Sequence, residues 1–231
     1  MRFGIGPSLK MERNPAFMIQ KMLLYAITDR NQLPGSEAER NAALVELARQ
    51  WARGGVDYLQ IREKDLPPEE LLPLARQIIE AVRSEGAKTK ILLNGAVSLA
   101  LEVKADGVHL PGNTPPEAAA GAKEKYASAG IEAILSQSCH SPEEAAAAAK
   151  DASLILYAPV FEKITTQSTL TGKGIKALEA ACKAASCTPV LALGGVTLQN
   201  AQACLNAGAK GIAAIRLFLN DDWQNLRKIS G

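Results

Sequence analysis

The sequence of 231 residues has few aromatic side chains, no CxxC pair and no long apolar run. Aromatic residues make up 4% of the chain and hydrophobic residues 47%, so we expect an interior of Ala, Leu, Ile and Val. The apolar runs have the length of strands, which excludes a membrane span. A net charge of +2 argues against a nucleic-acid-binding face. The scattered cysteines favour reduced thiols over disulfides or a zinc site. They are Cys139, Cys182, Cys187 and Cys204.

The first 21 residues differ from the rest of the chain. They contain three of the four methionines, together with Gly and Pro, and show little periodicity. They lack a long apolar segment followed by a cleavage site, so a secretory signal is not expected. We therefore predict a poorly ordered extension over residues 1–21 and one folded domain over residues 22–231.

From Leu23 onward, short apolar runs alternate eight times with helical patterns. This alternation predicts an α/β fold, a single-domain TIM (β/α)₈ barrel, with an open doubly wound sheet as the alternative. No GxGxxG motif opens the first helix, which disfavours a dinucleotide-binding fold. The predicted strands are Leu23–Thr28, Tyr58–Ile61, Lys90–Leu93, Gly107–Leu110, Glu132–Leu135, Leu154–Tyr157, Pro189–Leu193 and Gly211–Ile215. The helices are predicted to begin near Glu37, Pro68, Ala96, Pro115, Pro142, Gly174, Thr197 and Asp221.

The segment that follows the second predicted strand is rich in charge of both signs. Gln60, Arg62 and Lys64 arrive together where the strand ends, and ligands of parallel barrels bind just beyond the carboxyl ends of the strands. Arg and Lys side by side suit a phosphate or a diphosphate. The alternative is a solvated loop whose charges have no ligand.

The only two histidines, His109 and His140, both fall at predicted strand ends on this face. Imidazole titrates nearest to neutral pH, so histidine is the usual acid and base of an enzyme. His109 lies within the fourth strand, which favours a buried and hydrogen-bonded structural role. His140 follows the fifth strand, just before a helix, and this position favours a functional role over a surface one.

Paired glycines follow the seventh predicted strand. Gly194 and Gly195 leave backbone N–H groups uncovered, and the helix that follows adds a positive dipole, so this loop is a candidate phosphate cradle. Ile215 and Arg216, after the eighth strand, would complete the cradle. A tight turn that requires glycine would leave the same signal.

Five motifs resemble the thiamine phosphate synthase/TenI family in order and spacing, and they extend over roughly Leu23 to Leu219. The resemblance implies a TIM barrel that acts on a small phosphorylated thiazole in thiamine biosynthesis, in the cytoplasm and often as a homodimer. The motifs are Tyr25-Ala26-Ile27-Thr28-Asp29, Gln60-Ile61-Arg62-Glu63-Lys64, Gly107-Val108-His109-Leu110, Pro159-Val160-Phe161 and Gly194-Gly195-Val196.

The chain differs from the synthase branch of that family at the positions that bind the metal ion. Synthases join an aminopyrimidine methyl diphosphate to thiazole phosphate and hold Mg²⁺ on two aspartates, one after the strand-three Asn and one in the loop after the fourth strand. Here Asn94 is followed by Gly95, and the second loop, residues 111–114, reads Pro-Gly-Asn-Thr. Without those carboxylates Mg²⁺ lacks the ligands it usually has beside phosphates.

The TenI branch resembles the chain better. It has Asn-Gly after strand three and Ser-x-His-Ser after strand five, as at Ser138 and His140 here. Some members are thiazole tautomerases, which implies His140 as the acid and base, no cofactor and no metal. The residues implied in substrate binding are Gln60, Arg62, Lys64, Asn94, Ser138, Thr165 and Thr166.

Two alternatives stay open. One is a Mg²⁺-dependent thiamine phosphate synthase that takes its carboxylates from elsewhere, such as Asp29 or Glu162. It would explain why Gln60, Arg62 and Lys64 are all present. The other is a non-catalytic regulatory protein that binds thiazole or thiamine phosphate.

Overall fold

A computed structural model describes residues 21–164 and 169–229. Apart from residue 21, the predicted N-terminal extension lies outside the described residues, as do Thr165 and Thr166. Within the described ranges, eight parallel strands close into a barrel, which confirms the predicted TIM barrel. The strands of the chain are Leu23–Ile27 (β1), Tyr58–Ile61 (β2), Lys90–Leu93 (β3), Gly107–Leu110 (β4), Ile134–Cys139 (β5), Leu154–Tyr157 (β6), Lys163–Ile164 (β7), Thr169–Leu170 (β8), Val190–Leu193 (β9) and Gly211–Ala214 (β10).

The order of strands around the barrel is β1-β10-β9-β6-β5-β4-β3-β2, and β1 pairs with β2 to close it. Strands β7 and β8 stand apart as a two-stranded antiparallel sheet, which was not predicted. Helices follow most barrel strands, as the alternation indicates. They are Glu37–Arg53 (α1), Pro68–Ser84 (α2), Val97–Glu102 (α3), Pro116–Ser128 (α4), Pro142–Ala148 (α5), Ile175–Ala184 (α6), Leu198–Asn206 (α7) and Leu226–Ile229 (α8).

Capping residues in the sequence account for several helix starts. Ser36 and Glu39 form a capping box at the first turn of α1, and the Ser141 hydroxyl accepts a hydrogen bond from the Glu144 backbone N–H at the start of α5. Pro142 occupies the first position of α5, where its missing N–H costs nothing. Within the described residues, no helix combines the length and the hydrophobicity that crossing a bilayer requires.

Two apolar clusters fill the molecule. A larger one lies between the sheet and the helices, and a smaller one, which includes Tyr25, Leu92, Leu156 and Leu191, fills the barrel. Alternate residues of each strand enter one cluster or the other, because successive strand side chains point to opposite faces. The barrel is therefore closed below by apolar side chains, and polar groups can face a ligand only toward the carboxyl ends of the strands.

The predicted boundaries of the fifth strand were wrong. It was placed at Glu132–Leu135, but β5 begins at Ile134 and extends to Cys139, so Ser136 and Ser138 lie within the strand and not in a loop after it. Their backbone pairs with β4 and β6, and tertiary pairing overrides the low strand propensity of serine. The final helix also differs: residues from Asp221 first form a 3₁₀ turn, Asp221–Asn225, before α8.

Candidate active site

The predicted site residues collect at the carboxyl ends of the strands, on two opposite sides of the barrel mouth. In the strand order, β3 lies four strands from β9 in either direction, so the ends of these two strands face each other. We call the ends of β2 to β5 the polar side; its predicted ligand-binding residues are Gln60, Arg62, Lys64, Asn94 and Ser138. We call the ends of β9 and β10 the glycine side; its residues are Gly194, Gly195, Ile215 and Arg216.

Arg30 anchors the loop that follows β2. Its guanidinium donates to both oxygens of Asp65, at 2.7 and 2.8 Å, and to Glu63 Oε2 at 3.2 Å, while its backbone N–H donates to the same Glu63 oxygen. The side chains of Arg30 and Glu63 are 4% and 1% exposed, so the ion pair is shielded from water. The Thr28 hydroxyl accepts from the Arg62 backbone N–H at 2.8 Å.

The charges in this loop alter one another's pKa values. Hydrogen bonds from Arg30 hold the pKa of Asp65 well below its usual range, and those bonds raise the pKa of Arg30. Burial raises the pKa of Glu63 and outweighs the opposite effect of Arg30. Arg62 lowers the pKa of Lys64, because two cations close together disfavour each other.

Arg30 is therefore paired within the protein, with Glu37, Glu63 and Asp65, whereas Arg62 and Lys64 form no ion pair among the described residues. Both cations are thus available to an anion at the mouth. The sequence places Arg30 after the first strand, on this face, but predicted no role for it. The signal was an arginine just after one strand, with two carboxylates in the loop after the neighbouring strand.

A hydrogen-bonded row of four side chains crosses the upper part of the barrel. Tyr25 Oη lies 2.9 Å from Ser136 Oγ, which lies 2.8 Å from His109 Nδ1, and His109 Nε2 lies 3.0 Å from Ser138 Oγ. Burial lowers the pKa of His109 to about 3, with further lowering by Arg62 and Lys64, so its imidazole is neutral near pH 7. This confirms His109 as a buried, hydrogen-bonded residue.

Gln60 lies at the inner end of the polar side. The residue is 1% exposed, and its Oε1 atom is buried without a hydrogen-bond partner among the described residues. A buried amide oxygen without a donor costs free energy, and ligands commonly satisfy such groups. This observation supports the predicted ligand-binding role of Gln60.

His140 lies on the rim just beyond β5. Its Nδ1–H donates to the carbonyl oxygen of Ala158 at 2.8 Å, and its backbone N–H donates to Glu144 Oε2 at 2.6 Å. Its Nε2 lies against Gly112, where an added Cβ would come within 2.8 Å of that nitrogen. With the proton on Nδ1, Nε2 of the neutral ring carries the lone pair and is free to accept a proton.

Gly194 and Gly195 adopt φ angles of +93° and +66°, which L side chains rarely adopt. A Cβ on Gly194 would lie 2.8 Å from Pro159 Cα, and one on Gly195 would lie 2.7 Å from the Glu162 carbonyl oxygen. The loop therefore packs tightly on the segment after β6 and leads directly into helix α7. This geometry suits an anion cradle, and it also satisfies the tight-turn alternative.

The groups at the two positions where synthases carry Mg²⁺ ligands do not suit this ion. Asn94, Gly95 and the loop of residues 111–114 offer no carboxylate. The described residues contain no cluster of three His, Cys, Asp or Glu side chains that could hold a metal. Of the alternative carboxylates, Asp29 accepts a hydrogen bond from Gln32 and Glu162 is exposed on the far side of the mouth.

A TIM barrel whose strand ends combine cations, a rim histidine and a glycine loop is typical of enzymes that act on small phosphorylated substrates. The particular family follows from sequence comparison. A family model described as "Thiamine monophosphate synthase" matches residues 24–218, and the chain belongs to this family of thiamine biosynthesis. The resemblance seen in the motifs is confirmed at family level.

Three relatives illustrate the match. A putative thiamine-phosphate synthase of Geobacter sulfurreducens is 39% identical over 86% of this chain and 87% of its own length. Putative thiamine-phosphate synthase 2 of Aquifex aeolicus is 34% identical over 85% of this chain and 97% of its own length. The solved structure of thiamine phosphate pyrophosphorylase from Pyrococcus furiosus is 30% identical, covers 92% of this chain and 96% of its own, and superposes with a TM-score of 0.71.

Proposed function

We propose that this chain is a thiazole tautomerase, which aromatises a thiazole carboxylate phosphate in thiamine biosynthesis without a metal ion. The observation that carries the proposal is His140. Its ring is exposed on the rim, one nitrogen is fixed by the Ala158 carbonyl, and the other is free to exchange a proton. The missing carboxylates at Gly95 and in the loop of residues 111–114 support a reaction that needs no Mg²⁺.

The reaction moves one proton and changes no oxidation state. His140 Nε2 takes the proton from the ring carbon that bears the carboxylate, and the electron pair of that bond enters the ring as it becomes aromatic. The imidazolium then returns the proton to the exocyclic alkene carbon. One imidazole near both carbons is sufficient, since it acts first as base and then as acid near neutral pH.

The two sides of the mouth divide the charges of such a substrate. The glycine side, at the start of α7, is assigned to the phosphate. The polar side, with Arg62 and Lys64 unpaired among the described residues, is assigned to the carboxylate. This arrangement gives the basic residues after β2 a role in an enzyme that handles no diphosphate.

The test is to mix purified protein with the non-aromatic thiazole carboxylate phosphate and to follow the absorbance of the aromatic product, with and without EDTA. We expect turnover that EDTA does not change. Binding of the substrate without turnover would overturn the proposal in favour of a regulatory binding protein.

Thiamine phosphate synthase is the second candidate, and the names of the relatives favour it over the tautomerase. The presence of Gln60, Arg62 and Lys64 supports it too, since the resemblance assigns these residues to the pyrimidine diphosphate. A coupled assay with aminopyrimidine methyl diphosphate, thiazole phosphate and Mg²⁺ separates the two reactions. Formation of thiamine phosphate that EDTA abolishes would establish the synthase.

A further inference from the structure

The row of side chains across the upper barrel has few protons that can form hydrogen bonds, and water has little access to it. Tyr25 and Ser136 are 0% exposed and His109 is 6% exposed. Each hydroxyl has one proton to donate, and neutral imidazole has one N–H and one accepting nitrogen. Because an unmet buried donor costs free energy, the protons in this row are not free to take any order.

One order satisfies every buried donor. Tyr25 donates to Ser136, Ser136 donates to His109 Nδ1, and His109 Nε2–H donates to Ser138. If the His109 proton were instead on Nδ1, it would be donated to Ser136, and Ser136 could no longer donate to His109. Either the Ser136 hydroxyl or the Tyr25 hydroxyl would then be left without an acceptor among the residues that the structure describes.

We propose that the hydrogen bonds of this row all donate in one direction, from Tyr25 toward Ser138. Ser138 is thereby held as a hydrogen-bond donor toward an anionic oxygen of the substrate. Ser138 accepts from His109 and so keeps its own proton for another partner; among the described residues it has none. It is two residues beyond Ser136 on the same face of β5, nearer the mouth, and is partly exposed. Tyr25, Ser136 and His109 are positioning residues, since they act through Ser138.

The position of Ser138 identifies the class of oxygen it would bind. Arg62 and Lys64 follow β2 and Ser138 lies near the end of β5, so all three belong to the polar side of the mouth, and the charges of both cations lower the pKa of His109 in the same row. A donor and two cations on this side suit an acceptor of negative charge, across the mouth from the glycine side. The assignment of that acceptor as the substrate carboxylate rests on the proposed function; the direction of the row does not.

The direction can be read in the free protein by ¹⁵N NMR of labelled histidine. The chain has two histidines, and His140→Asn assigns the signals. We expect a neutral His109 with its proton on Nε2 throughout about pH 5 to pH 8. A proton on Nδ1, or an imidazolium in that range, would overturn the proposal. This measurement needs no substrate and no activity.

The carboxylate is tested by the affinity of two ligands, the aromatic thiazole carboxylate phosphate and the same thiazole phosphate without the carboxylate. Ser138→Ala should weaken the first about 10-fold and leave the second unchanged. The control, Ser128→Ala on the exposed face of α4, should change neither. An equal loss for both ligands would overturn the carboxylate assignment. Wild-type protein that binds neither ligand would overturn the proposed function, while a proton on His109 Nε2 would still support the row.

Discussion

On the polar side of the mouth the candidate ligand-binding groups are side chains, and other side chains hold them in place. On the glycine side the geometry belongs to the backbone. Arg30 fixes the loop of Arg62 and Lys64 through a shielded ion pair. Gly194 and Gly195 are fixed by close backbone contact with the segment after β6. The two sides should therefore fail in different ways when they are mutated.

The difference also separates two tasks. Side chains with fixed partners can distinguish a carboxylate from other groups, because their donors and charges have set directions. Backbone N–H groups beside a helix N-terminus bind any phosphate of suitable size. His140 stands on the rim just beyond β5 and is fixed by the carbonyl of Ala158, which follows β6, and we assign it to neither of the two proposed anion sites.

The largest effect should come from His140, which we assign to neither anion site. His140→Asn should lower turnover by about 10² to 10⁴-fold, the usual contribution of a positioned acid and base, while phosphate affinity and folding stay nearly unchanged. Steady-state kinetics and a competition assay with inorganic phosphate measure both quantities. Full tautomerase activity in this variant would show that the proton transfer is performed elsewhere.

Removal of the Arg30 guanidinium should destabilise the protein. Arg30→Met leaves Glu63 buried without its cation, and loss of one partner of a buried pair costs about 3–5 kcal/mol in the free energy of unfolding. Urea denaturation measures the loss. The matched control is Arg76→Met, which removes an exposed pair with Glu102 and should cost less than about 1 kcal/mol. Equal losses in the two variants would contradict the anchoring role of Arg30.

The glycine side should respond to a single methyl group. Gly195→Ala combines a φ of +66° with a contact of 2.7 Å to the Glu162 carbonyl, and we expect about 1–3 kcal/mol of destabilisation together with weaker phosphate binding. Gly121→Ala, in the middle of α4 with open space around it, should be neutral or stabilising. Unchanged phosphate affinity in Gly195→Ala would favour the tight-turn interpretation.

The polar side should also differ from the glycine side in the pH dependence of its stability. The pKa of His109 in the folded protein is about 3, below the ordinary value of 6.5. Below pH 6.5 the histidine is therefore protonated in the unfolded chain but stays neutral in the folded protein. The free energy of unfolding should fall as the pH drops from 6.5 toward 3, by up to about 1.4 kcal/mol per pH unit from this group.

His109→Asn should remove this component, besides lowering stability overall. Thermal denaturation of wild type and variant between about pH 4.5 and about pH 6.5 shows the difference in slope. The window lies above the ordinary pKa of Asp65, 3.8, so protonation of that carboxylate contributes little there. Parallel curves would mean that His109 is not held neutral in the folded protein.

The smallest expected effect is that of Mg²⁺. Since neither Gly95 nor the loop of residues 111–114 supplies a carboxylate, added Mg²⁺ should leave tautomerase activity unchanged. Isothermal titration calorimetry with and without the thiazole ligand is the measurement. Tight binding of Mg²⁺ that depends on that ligand would contradict the argument and favour the synthase.

The barrel could be predicted from the sequence because most strands are short apolar runs and several helix starts carry a local signal. Strand β5 was misplaced for the same reason: Ser136 and Ser138 have the polarity of a loop, and only pairing with β4 and β6 makes them strand residues. The local sequence pattern carries no information about that pairing, because the partner strands lie elsewhere in the chain.

The site was predictable where a residue acts through its position in its own strand and loop. Gln60, Arg62, Ser138 and His140 were predicted in this way, and their roles in binding or catalysis stay predictions. Arg30, Tyr25 and Ser136 act through partners that are distant in sequence; the Tyr25–Ser136 bond joins residues 111 positions apart. Such partners become visible only when the barrel has closed. The roles of Thr165 and Thr166 stay predictions.

The pairing of β1 with β10 has a consequence for the order of events during synthesis. Leu23 lies opposite Gly211, so one edge of the first barrel strand stays unpaired until the last barrel strand has been synthesised. The glycine side of the mouth is carried on β9 and β10, which leave the ribosome last. A nascent chain that ends before β10 would present two open sheet edges and a glycine side without Ile215 and Arg216. Closure of the barrel and completion of the mouth are therefore one late step, and contacts so distant in sequence make that step slow.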